Sequence, residues 1–147
     1  MSKGSEPGPR IVVGVDGSLS SKAALAWALD QARLTSSVLD AVIAWEYPAM
    51  SGYRFPVSVD WEDVAKRAIT EAIAAVVGSS QPADLHRHVV EGNAAQVLLN
   101  AAAGADLLVV GNRGYGGFVE ALLGSTSQHC VHHATCPVVV VRQTARS

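Results

Sequence analysis

Cysteine is nearly missing from this chain: Cys130 and Cys136 are the only two in 147 residues. They form no CxxC pair and no secretory leader precedes them, so they read as reduced thiols that pack. Charge is equally sparse. Asp, Glu, Lys and Arg make up 16% of the residues, the net charge is −2, and no basic stripe is present. A nucleic-acid partner is therefore not expected. No apolar run approaches the length that crosses a bilayer. Residues 1–9 (MSKGSEPGP) lack the apolar core of a signal peptide and read as a loose tail, and residues 143–147 as a second one. The expectation is a soluble, cytoplasmic protein. Most catalytic signatures are missing too: there is no GxxxxGK[ST], no GxSxG elbow, no HExxH, no HxGH and no SGGxDS.

What the chain does have is aliphatic residues in short runs, enough for one domain with a proper core. Five runs read as strands: 11–15 (IVVGV), 38–45 (VLDAVIAW), 85–90, 106–111 (DLLVVG) and 137–141 (PVVVV). The third is interrupted by His86, Arg87 and His88, which suits a sheet edge. Helical patterns separate the runs. Residues 20–34 carry Leu25, Leu29 and Ala32 on one stripe, with Ser18, Ser20 or Ser21 as the cap. Asp60 opens a helix with Trp61, Val64, Ala65, Ala68, Ala72 and Val76 as apolar positions, and Gly78 ends it. Asn93 and Gln96 start a third helix, closed by Gly104, and a fourth runs from about residue 125 to 134. The alternation predicts an α/β fold: a single-domain, doubly wound, five-stranded parallel sheet with helices on both faces. An order of 3-2-1-4-5 would make strands 1 and 4 neighbours where the strand order reverses. The long segment 46–58, with two prolines and three aromatics, reads as a flap near the site.

Ligands of such sheets lie beyond the carboxyl ends of the strands, where the strand order reverses. Two loops are equipped for that place. The first is Gly14-Val-Asp16-Gly-Ser18. The second is GNRGYGGFVEALLGST at 111–126, with Gly111, Gly114 and Gly124, the single cation Arg113, and Ser125 and Thr126 at a helix start. Glycines let amides approach an anion, and a helix N-terminus adds unpaired N–H groups: a phosphate cradle. A glycine-rich surface loop without a ligand would have the same composition. Asp16 would bond a ribose hydroxyl or an adenine amino group, or hold Mg²⁺; a plain turn and helix cap would use the same residues. His129 and His133, four apart, would share one helix face and allow a metal, although ordinary surface histidines give the same pattern. No metal site is assigned.

The spacing Gly111-x2-Gly114-x9-Gly124-Ser125, with IVVGVDGS at 11–18 and HATCPVVVV at 133–141, resembles the ATP-binding branch of the universal stress protein family over about residues 10–142. The resemblance implies a Rossmann-like, adenine nucleotide alpha hydrolase-like fold, and ATP or another adenine nucleotide as ligand, with or without Mg²⁺. It implies Gly14, Asp16 and Ser18 near the nucleoside, and Ala44 and Trp45 against the adenine. Gly111, Arg113 and Gly114 would follow the ribose and phosphates, with Gly124, Ser125 and Thr126 closing over the phosphates. It further implies a stress-response regulatory role and a homodimer formed through the last strand, Val138 to Val141. Tyr115 and Phe118 depart from the small polar or basic residues many relatives carry there. No general base for hydrolysis is placed by motif, so the enzymatic alternative is at most a slow ATPase. A nucleotide-free dimeric scaffold is the other alternative.

Overall fold

Runs dense in valine, isoleucine and leucine, too short for buried helices, become the strands of a sheet covered on both faces. The computed structural model describes residues 8–47, 59–78, 84–112 and 124–143. Along them the elements are β1 (Arg10–Gly14), α1 (Leu19–Thr35), β2 (Val38–Trp45), α2 (Trp61–Val77), β3 (Leu85–Glu91), α3 (Ala94–Ala102), β4 (Leu107–Gly111), α4 (Ser125–His133) and β5 (Val138–Val141). All pairings are parallel and the order is β3-β2-β1-β4-β5. The chain winds outward to β3, returns to the centre, and winds the other way through β4 and β5. The reversal falls between β1 and β4, as expected for the order 3-2-1-4-5.

Successive residues of a strand point to opposite faces, which divides the core in two. On one face Ile11, Val13, Leu39, Ala41, Ile43 and Val109 pack under α1 and α2. On the other, Val12, Val42, Leu108 and Val110 pack under α3 and Cys130 of α4. The stripe expected for α1 is buried, but that of α2 is rotated. Ala65, Ile69, Ala72, Ile73 and Val77 are its buried positions, while Val64 is 50% exposed. Ile69 and Ile73 bury more apolar surface than alanines can, and they turn the helix toward themselves.

Short polar side chains start the helices. Ser18, Asp60 and Asn93 accept the N–H of Ser21, Asp63 and Gln96 at 3.1, 3.0 and 3.1 Å. The third helix ends at Ala102, with Ala103 as the cap and Gly104 following at φ 80°. At the amino edge of the sheet, Arg10 closes that end of α3. Its guanidinium lies 3.2 Å from Asp40 and donates to the carbonyls of Ala101 and Ala103 at 3.1 and 3.0 Å. A cation at the carbonyl end of a helix is favourably placed.

Candidate functional site

In a parallel sheet every strand presents its carboxyl end to the same edge, and the loops there form the candidate site. Gly14 and Gly111 are the last residues of β1 and β4 on either side of the reversal. Each lacks a side chain for a packing reason. A Cβ at Gly14 would stand 2.7 Å from Cδ1 of Leu98. A Cβ at Gly111 would stand 2.3 Å from Oγ and 2.7 Å from the backbone carbon of Ser20. The first turn of α1 thus lies directly on the end of β4, which draws the two loops together.

After β1 the chain turns through Asp16, Gly17 (φ 85°) and Ser18 into α1. Asp16 Oδ1 accepts the Ser18 N–H at 2.9 Å, and the Asp16 N–H donates to Ser21 Oγ at 3.1 Å. Turn and cap are therefore both built, with the Asp16 carboxylate exposed at the edge. Ser18 is buried and its hydroxyl oxygen caps α1, so it serves the site by holding the turn.

After β4 comes Asn112, which sequence reasoning missed. Its N–H donates to Val141 of β5 at 3.0 Å, and its carbonyl accepts from Gly124 N–H at 2.7 Å. Its Oδ1 accepts from Ser20 Oγ at 2.9 Å. Ser127 Oγ donates to the neighbouring carbonyl of Gly111. One residue so joins β4, β5 and the first turns of α1 and α4. Asn112→Ala keeps the backbone bonds and loses the one to Ser20. The expected cost is about 1 kcal/mol, or about 3 °C in a thermal melt.

Gly124 is the N-cap of α4 and has no side chain to occupy the helix amides; Ser125 is exposed and Thr126 half-buried beside it. The first turns of α1 and α4 contain no acidic residue, whereas that of α2 holds Glu62 and Asp63. Asp16 and the Ser18 hydroxyl already accept amides at the start of α1, whereas the glycine-capped N-terminus of α4 has no side-chain acceptor, an arrangement suited to an anion. Ala44 and Trp45 end β2 at the same edge; the Trp45 carbonyl accepts from Gly92, and its ring meets Tyr47 edge-on at 5.5 Å between centroids. Arg113 and Gly114, with Tyr115 and Phe118, lie outside the described residues, as does most of the expected flap at 46–58.

Other features stand apart from this edge. A cavity of about 300 Å³ lined by Leu29, Arg33, Ser36, Leu39 and Asp84 lies at the amino ends of β2 and β3. Burial pushes the thiols of Cys130 and Cys136 up, consistent with packing residues rather than nucleophiles. Among the described residues no helix is long and apolar enough to cross a membrane.

A model of the universal stress protein family matches residues 9–142. The chain belongs to this family. A universal stress protein of Mycolicibacterium smegmatis is 36% identical over 141 residues, covering 89% of this chain and 47% of its own length. The chain spans about half the length of the curated relatives it matches. Among solved structures, universal stress protein UspA from Lactobacillus plantarum superposes with a TM-score of 0.74 at 26% identity, over 93% of this chain and 99% of its own. A universal stress protein solved in complex with cAMP gives a TM-score of 0.67 at 27% identity, over 92% and 98%. The five-stranded parallel sheet of order 3-2-1-4-5 is thus that of universal stress proteins.

Proposed function

We propose that this chain binds an adenine nucleotide, ATP first among them, at the carboxyl edge between β1 and β4, and works as a stress-response regulatory protein. The observation that carries the reading is the pair of helix N-termini, α1 and α4, that meet there without an acidic residue in either first turn. Phosphates would take the amide end of α4 at Gly124, Ser125 and Thr126, with Arg113 as countercharge and Gly111 and Gly114 along the ribose and phosphates. The nucleoside would lie toward Gly14, Asp16 and the β2 end at Ala44 and Trp45, where an apolar and aromatic wall suits a base. A related chain at 27% identity was solved with cAMP, which supports an adenine nucleotide.

The residues suit Mg²⁺ only as a companion of the nucleotide. Asp16 is the one carboxylate in residues 14–18, 111–112 and 124–126, and Mg²⁺ held by a single carboxylate takes its remaining ligands from phosphate and water. Such an ion would offset phosphate charge. With Asp16 Oδ1 already bonded to Ser18 N–H and no other carboxylate or histidine in residues 14–18, 111–112 or 124–126, hydrolysis would be slow at most. The protein would act as a homodimer. Val138–Val141 forms an edge strand paired to β4 alone, with four half-buried valines, and pairing two such edges removes an aggregation liability.

Thermal unfolding with Mg-ATP, AMP, cyclic AMP and GTP tests the site. A ligand at 100 times its dissociation constant stabilises by about 2.7 kcal/mol, a rise of about 8 °C for a domain of this size. Absence of any shift, with no nucleotide released on denaturation, would point to the nucleotide-free scaffold instead.

A further inference from the structure

Three of the chain's five histidines lie in the nine residues of α4, and His129, His132 and His133 are all exposed. His129 and His133 stand four apart, the spacing that places two side chains on one helix face. Their ring centroids are 4.4 Å apart with planes inclined at 38°. We propose that His129 and His133 form a two-imidazole chelate for a borderline divalent transition metal: Cu²⁺, Ni²⁺ or Zn²⁺. Two imidazole nitrogens each about 2.1 Å from one metal stand about 3 Å apart in a cis arrangement, which these neighbouring rings reach by side-chain rotation alone. The same four-residue spacing on one helix presents the paired histidines of known zinc sites.

Charge favours the same occupant. The sequence of α4, STSQHCVHH, contains no lysine or arginine to repel a cation, and the pair extends into the last turn, where the helix presents its negative end. Imidazole nitrogen prefers Cu²⁺, Ni²⁺ and Zn²⁺ to the oxygen-seeking Mg²⁺ and Ca²⁺, so this metal is distinct from any ion that accompanies a nucleotide. Among the described residues no group of three or more His, Cys, Asp and Glu side chains assembles. The chelate therefore supplies two protein ligands and leaves the other positions to water or small anions, an exchangeable site rather than a structural one. His132 lies 6.4 Å from His133 between centroids and belongs to a different side of the helix. His88 is already held by Asp40 at 3.0 Å on β3.

The test uses the full chain without a histidine tag, stripped with a chelator and titrated with CuCl₂ in a weakly coordinating buffer. Electron paramagnetic resonance should report one Cu²⁺ per chain with two nitrogen ligands. Losing an outer-shell partner already costs a metal site about 10–100-fold, so removing a ligand should weaken binding by about tenfold or more. H129N and H133N should each show that loss, and H132N and H88N should bind like the parent; circular dichroism checks that these surface variants fold. The proposal is overturned if the parent shows no nitrogen ligation, if either H129N or H133N binds normally, or if H132N or H88N weakens binding as much.

Discussion

Gly111→Ala should lower the melting temperature by about 9 °C, corresponding to about 3 kcal/mol of overpacking. The added methyl would meet Ser20 at 2.3 Å from Oγ and at 2.7 and 2.8 Å from backbone atoms of α1. A hydroxyl can rotate away; a helix backbone cannot. Relief requires α1 to lift from the end of β4, which would strain the Ser20–Asn112 hydrogen bond and the core beneath it. Gly14→Ala provides the comparison. Its new methyl would press on the terminal carbons of Leu98, which can change rotamer, so about 1 kcal/mol is expected. Thermal melts followed by circular dichroism check both. A Gly111→Ala protein melting within about 2 °C of the parent would mean that the close approach of α1 is not needed.

Gly124→Val should do the opposite: spare the fold and weaken ATP binding by about tenfold or more, that is, by at least about 1.4 kcal/mol. Gly124 sits at φ −66° and ψ 162°, extended backbone that valine adopts readily. Its loss as an N-cap costs about 1 kcal/mol. The isopropyl group would stand at the amide end of α4, in the space proposed for phosphate. Calorimetric titration with ATP reads the effect, with the melting curve as control. Unchanged affinity in a folded variant would remove α4 from the binding site.

These two glycines mark how far the sequence was legible. Alternating apolar runs and helix caps foretold the element order and the parallel sheet, because β-branched density and Ser, Asp and Asn caps are local signals. His86, Arg87 and His88 foretold the edge position of β3; the order 3-2-1-4-5 is set by long-range packing that no local signal carries. Alanine-rich helices gave less contrast. With alanine on every side of α2, the buried stripe could be read through Val64 as easily as through Ile69 and Ile73, and only packing against the sheet decided it. In the site, a glycine needed for an anion and a glycine needed for helix approach look alike in sequence. Gly111 fits the second account directly. Asn112 left no local trace at all, since its partners are backbone groups and a serine 92 positions away.

The bond from Gly124 N–H to the Asn112 carbonyl has a consequence for how such a chain can change over generations. The two ends of the segment between them are pinned to each other and, through Val141 and Ser20, to the frame of the domain. Lengthening a loop whose ends are already held adds little: each doubling costs only about 0.6 kcal/mol. Added length between two such pinned ends is therefore of small consequence for the five strands. Chain length at this edge and foldability become nearly independent variables, and descendants of one scaffold can try new connections there without first having to regain a stable fold.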